Sequence, residues 1–239
     1  VGATGFEEFP EKASSTATSR TFTVYSAGRV MYYDIYNTAI AVNNKGPMGY
    51  YHKSKLVPGA ERMPYPEFFA FMGDWAIKLG GISGTLGIQN ERTVFFNEAG
   101  IGVAPVICYE SVFGEYVGDY VKKGAGLIFI ITNDGWWGNT DGHKQHCLYA
   151  KLRSIETRRA TARSANTGTS CFINQRGDIS QATAWSVDAV INADLHVNNA
   201  LTFYTKHGDY LARFAFIISA GLLLGLVYKK ITNKSKQIK

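Results

Sequence analysis

At 239 residues the chain is long enough to bury a full core as one main domain, and 46% hydrophobic against 18% charged residues excludes a disordered polypeptide. A formal charge of +6 does not point to nucleic acid, because lysine and arginine are scattered until a cluster at Lys229 to Lys239 that follows an apolar run. Three cysteines, Cys108, Cys147 and Cys171, give neither a disulfide framework nor a metal spacing.

The chain opens V-G-A-T-G, with no start methionine or signal peptide, and reads as the middle of a strand leading to a turn. The expectation is the C-terminal part of something longer. Phe6 to Arg20, rich in Glu, Ser and Thr, reads as a surface loop. Val30 to Val42 is strand-like, Asn43-Asn44-Lys45-Gly46 is a hairpin turn, and Met48 to Lys53 is the return strand. Three prolines between Leu56 and Pro66 predict an ordered loop. From Glu67 to Leu79 aromatic residues recur at helical spacing, which fits core packing as well as a surface for lipid chains.

Gly80 to Gly87 lacks the lysine of a phosphate-binding loop and reads as a turn. Thr93 to Phe96 and Ile101 to Ile107 form a hairpin, Ser111 to Lys123 a short helix, and Leu127 to Thr132 a strand apolar on both faces. A long helix is expected over Asp141 to Ser164, its arginines solvated or paired with Glu156 except Arg163, which enters the turn R-S-A-N-T-G. Thr169 to Asn174 and Ala189 to Leu195 are the last predicted strands. His143 and His146 lie three apart with no carboxylate in a zinc-protease arrangement, so no metal is expected, and nothing calls for a cofactor. Between Cys147 and Cys171 one bridge is allowed, but two unpaired buried thiols are the expectation.

The chemistry gathers around V-A-P-V-I-C-Y-E-S-V at Val103 to Val112, where an apolar strand runs into Cys108 and turns polar at once. Alone, this stretch fits an inert buried thiol better than a nucleophile. It is preceded by K-S-K-L-V-P-G-A-E at Lys53 to Glu61 and followed by N-D-G-W-W-G at Asn133 to Gly138. In this order the three motifs resemble the carbon-nitrogen hydrolase (nitrilase) superfamily. The resemblance implies an α/β fold, a nitrilase-like αββα sandwich, here N-terminally incomplete, with Cys108 as nucleophile and Lys53 as the ammonium that stabilises the tetrahedral intermediate together with the Tyr109 N–H. Glu61 matches a second glutamate of the membrane branch, and Glu110, Trp136 and Trp137 are expected around the oxyanion and pocket. The family's base glutamate has no match: Phe9-Pro10-Glu11 has the letters but stands too close to Lys53, so the base is expected upstream and this polypeptide alone is expected to be inactive.

Phe214 to Tyr228 carries no charge, and Tyr210 to Ala212 extend it beyond Arg213 to about the length of a membrane span. The expected organisation is a catalytic domain over 1–205, a transmembrane helix over 206–230 and a basic cytoplasmic tail over 231–239. Combined with the motifs, the span resembles the apolipoprotein N-acyltransferase branch of the superfamily. That branch implies a bacterial inner-membrane enzyme, multi-pass when full length, with its catalytic domain on the periplasmic side. Its acyl donor would be a phospholipid and its acceptor the N-terminal amine of a diacylglyceryl-apolipoprotein, with no role for nucleic acid. A soluble amidase and a non-catalytic membrane-tethered module are the competing readings.

Overall fold

The computed structural model describes residues 2–9, 22–26, 29–62 and 86–237, with side-chain surroundings for 34–62 and 86–231. The aromatic helix expected over 67–79 and most of the turn at 80–87 lie outside the described residues.

The first sheet is antiparallel and contains β1 (Gly2–Phe9), β2 (Phe22–Ser26), β3 (Arg29–Asn43) and β4 (Gly46–His52). β3 is rich in β-branched and aromatic residues, and its length lets β2 pair with its first half and β4 with its second while β1 runs along both, from Gly2 opposite Ala39 to Phe9 opposite Tyr32. The opening strand therefore passes Gly5 without turning and takes up residues 6–9 of the expected loop. Asn43 closes the β3–β4 hairpin by accepting from the Lys45 N–H at 2.8 Å, with Gly46 at φ 121°.

The second sheet runs β10 (Ile179–Ser180), β9 (Cys171–Ile173), β8 (Ala160–Ala165), β7 (Ala125–Thr132), β6 (Gly102–Ile107), β5 (Phe95–Phe96), with β6, β7 and β8 parallel at its centre. Pro105 is tolerated in β6 because β5 pairs only as far as Val103, so the rest of that edge has no ladder to lose. α1 (Gly114–Lys122) and α2 (Asp141–Thr157) carry the chain between the parallel strands. Val117 and Tyr120 of α1 and Ala150 of α2 pack with Val106, Ile128, Ile130 and Ile173 of the sheet, and Ala39 and Tyr51 join the same core from the first sheet. The predicted α/β class holds.

Two elements differ from expectation. α2 stops at Thr157, where Arg158 takes a left-handed φ of 54°, and Ala160–Ala165 is a strand. Alanine favours helix locally, but this segment fills the slot between β7 and β9, where small side chains fit beneath α2 and Thr161 bonds Ser154 at 2.7 Å. The strand expected over Ala189 to Leu195 is irregular, because the Gln181 side-chain amide binds the Asn192 backbone on both its N–H and C=O and supplies what a ladder would have supplied.

Of the arginines expected to be solvated or paired with Glu156, Arg153 takes the pairing, Arg158 the solvent, and Arg159 neither. Arg153 is buried, pairs with Glu156 at 2.9 Å and donates to the Val112 carbonyl at 2.8 Å. Arg159 is buried among carbonyls of Ala125, Thr157 and Ala200. Arg158 alone stays exposed, donating to the Gln175 carbonyl. After α3 (Phe203–His207) comes α4 (Tyr210–Gln237), whose stretch Tyr210–Ile231 has a mean hydropathy of 2.0 and is not buried by the rest of the chain.

Candidate active site

β6, β7 and β8 point the same way, so their C-terminal ends deliver Cys108, Asn133 and Asn166 to one edge of the sheet. A pocket of about 380 Å³ opens there, lined by these three residues and by Lys53, Glu61, Asn37 and Trp136. Trp136 stands at its mouth, half exposed.

Lys53 follows β4, continues its ladder by donating to the Asn37 carbonyl at 2.8 Å, and is 1% exposed. A buried ammonium needs a counter-charge. Eight residues on, the loop folds back, with the Glu61 N–H on the Val57 carbonyl, and sets the Glu61 carboxylate 2.7 and 2.6 Å from Lys53 Nζ. Glu61 also accepts from Asn37 Nδ2 at 2.7 Å and the Val57 N–H at 2.8 Å, so every partner it has is a donor holding it in place.

Cys108 is the first residue past β6 and opens a 3-10 turn, Cys108–Val112, with φ 50°. A left-handed cysteine costs on the order of 1–2 kcal/mol, which the surroundings must offset. Part of that support comes from Glu110. Its buried carboxylate accepts from the Ile107 N–H at 2.8 Å, the Ser54 N–H at 2.7 Å, and the hydroxyls of Tyr51 and Tyr116 at 2.6 and 2.8 Å, tying the lysine loop to the cysteine turn. Burial pushes its pKa up, against the pull of these hydrogen bonds. Glu110 therefore stands behind the pocket wall and not on it. Tyr109 is partly buried, its ring edge-on to Phe113. Trp137 likewise sits off the pocket, tilted against the His146 ring at 5.0 Å.

Asp134, His146 and Arg163 form a buried cluster that the sequence did not announce. Asp134 binds Arg163 at 2.7 Å, His146 Nδ1 at 2.9 Å and the Thr132 hydroxyl at 2.9 Å. His146 Nε2 lies 3.1 Å from both the Cys108 carbonyl oxygen and Ser111 Oγ. Burial would raise the Asp134 carboxyl, but the His146 hydrogen bond and the Arg163 charge overcome it and hold it below the usual aspartate range. Two signals were in the sequence: Asp134 belongs to the N-D-x-W-x-G loop and Arg163 opens R-S-A-N-T-G. His146, set aside for want of a zinc pattern, is the residue that joins them to Cys108.

Cys147 and Cys171 are both free and buried, with sulfurs 3.9 Å apart. The hydrogen bond between the two thiols lowers the pKa of Cys147 and raises that of Cys171. Among the described residues no cluster of three or more His, Cys, Asp or Glu is placed to hold a metal ion.

The carbon-nitrogen hydrolase family matches residues 10–201. An apolipoprotein N-acyltransferase of Chlorobaculum tepidum is 33% identical over 235 residues, covering 95% of this chain and 43% of that protein. Its counterpart in Geobacter metallireducens is 30% identical over 178 residues, covering 74% of this chain and 33% of that protein. This chain thus spans less than half the length of these relatives. A crystal structure of Saccharomyces cerevisiae Nit3, a member of branch 10 of the nitrilase superfamily, superposes with a TM-score of 0.46 at 19% identity, over 64% of this chain and 50% of that one.

Proposed function

The chain belongs to the carbon-nitrogen hydrolase family, and we propose that it carries the catalytic domain of an apolipoprotein N-acyltransferase, residues 1–205, followed by a membrane helix and a basic tail. In this reading Cys108 attacks the acyl ester of a phospholipid, forms a thioester and releases a lysophospholipid. The amine of a diacylglyceryl-cysteine then takes the acyl chain. Lys53 and the Tyr109 N–H hold the oxyanion in both steps, and Glu61 fixes the Lys53 ammonium. With all its acceptor sites turned to Lys53, Asn37 and Val57, Glu61 is poorly placed to take the thiol proton. The general base is proposed to lie outside the described residues.

The observation that carries this reading is the presence, in one chain, of a Lys–Cys pocket and an apolar helix that the chain itself leaves uncovered. An amidase acting on a small C–N bond in water has no use for such a helix. The test is to incubate the protein, produced at the full length of the relatives it matches, in detergent with phospholipids carrying labelled acyl chains, then map the label by mass spectrometry with and without a diacylglyceryl peptide. Label on Cys108 that moves to the peptide amine is expected. Label on Cys147 or Cys171, or release of free fatty acid alone, would overturn the reading.

A further inference from the structure

The cluster behind Cys108 acts on the peptide that follows the nucleophile. The Cys108 carbonyl and the Tyr109 N–H belong to one planar trans peptide, so they point in opposite directions, and whatever fixes the carbonyl also aims the N–H. Two side chains hold that carbonyl: Ser111 Oγ donates to it at 2.8 Å, and His146 Nε2 lies 3.1 Å away. A carbonyl has no proton to give, so Nε2 donates to it. On the other side of the ring Nδ1 lies 2.9 Å from Asp134 Oδ1 and 3.2 Å from the Arg163 guanidinium, which also holds Asp134. The ring is fully enclosed, with Trp137 tilted against it.

We propose that Asp134 and His146 form a positioning pair that fixes and polarises the Cys108–Tyr109 peptide so that the Tyr109 N–H is aimed at the oxyanion. This rests on the reading of Cys108 as nucleophile and Tyr109 as oxyanion donor given above. A donor on the carbonyl draws electron density from the amide and strengthens its N–H as a donor, the usual cooperativity of a hydrogen-bond chain. The same contact resists relaxation of the left-handed Cys108 backbone, which would swing the peptide out of line.

The pair acts on the oxyanion and not on the thiol, and two reagents separate these. A long-chain aldehyde adds the Cys108 Sγ–H across its C=O: the sulfur–carbon bond forms, the proton ends on the former carbonyl oxygen and nothing leaves. The hemithioacetal oxygen then occupies the oxyanion position. Iodoacetamide alkylates the same sulfur and expels iodide, with no oxyanion formed. Binding of the aldehyde and the rate of alkylation are measured on the full chain in detergent for the parent, His146→Leu and His146→Gln.

Leu removes the donor, while Gln keeps an N–H donor of similar reach. His146→Leu is expected to weaken aldehyde binding at least about tenfold, with the alkylation rate within about threefold of the parent, and Gln to recover most of the loss. Parallel loss of both reactions in the Leu variant, with no recovery by Gln, would mean a merely structural residue. Unchanged aldehyde affinity in the Leu variant, or a parent that binds no aldehyde, would equally overturn the proposal. The expected split between parent and Leu variant, together with no acyl transfer from phospholipid by the protein at the full length of its relatives, would count against the acyltransferase reading alone.

Discussion

Lys53 and Glu61 form a buried ion pair, with side chains 1% and 11% exposed. Such a pair is worth little in net Coulomb energy because desolvation offsets the attraction, so its value lies in where it puts the ammonium. Lys53→Ala and Lys53→Arg are both expected to reduce acylation by at least about 10², measured as thioester formed on Cys108, since Arg brings a longer planar fork to a place cut for a point charge. An active Lys53→Arg protein would shift the role to Lys55, whose Nζ lies over the rings of Phe113 and Tyr116. Gly168 is a second residue fixed by its neighbour. With φ +132° and a built Cβ falling 2.5 Å from Asp134 Oδ2, Gly168→Ala should destabilise the protein by more than about 1 kcal/mol, read as a lowered urea midpoint.

Asp134 and Glu110 should give opposite pH limbs. The Asp134 pKa is lowered in the folded protein, so its contribution is present above the unfolded value and lost as pH falls through the folded one. Glu110 is raised, so its contribution is full below the unfolded value and lost as pH rises through the folded one. Thermal midpoints across pH should therefore lose their acid-side slope in Asp134→Asn, and the slope above the ordinary glutamate range in Glu110→Gln. A Glu110→Gln profile that parallels the parent would remove that assignment.

At the scale of elements, the site was more legible than the scaffold around it. The strand end at Cys108 showed as an apolar run that turns polar at once, because a parallel strand buried on both sides leaves no other pattern, whereas Lys53 showed as the end of the return strand of a hairpin. The boundary between α2 and β8 did not show, because A-T-A-R-S-A has helical propensity and only the gap between β7 and β9 makes it a strand. His146 escaped for a related reason: its partners Cys108 and Asp134 are 38 and 12 residues away, and no local spacing marks them. Arg159 shows how such contacts hold elements together, its guanidinium joining the start of β7, the end of α2 and the segment before α3 through three carbonyls. Arg159→Met would leave those acceptors buried without donors. A loss of at least about 2 kcal/mol in unfolding free energy is expected from denaturant titration, against near-neutral change for the exposed Arg158→Met.

For the whole molecule the question is where α4 puts the pocket. Phe214, Phe216, Ile217, Leu222, Leu224 and Leu226 are all largely exposed on α4, far more apolar surface than a protein leaves in water without a partner. Tyr210–Ile231 is 22 residues, enough to cross a hydrocarbon core of about 30 Å at 1.5 Å per residue. Its two ends differ in charge: Lys229 and Lys230 lie in its last turn and Lys234, Lys236 and Lys239 follow it, whereas Arg213 and Lys206 lie near its start, and Arg213 is paired with Glu115 at 2.6 Å. The excess of positive charge favours keeping the lysine end in the cytoplasm, and the expected topology then has the proposed catalytic domain on the other face of the membrane. On the proposed function, a phospholipid acyl ester would there reach Cys108 without its chain being drawn through water, which costs about 0.8 kcal/mol for each CH₂ exposed. A cysteine placed at Ser235, in a background where Cys108, Cys147 and Cys171 are replaced by serine, should resist an impermeant maleimide in intact cells and react once the membrane is opened. Labelling from outside the intact cell would reverse the topology and, with it, the side of the membrane on which the acyl donor is met.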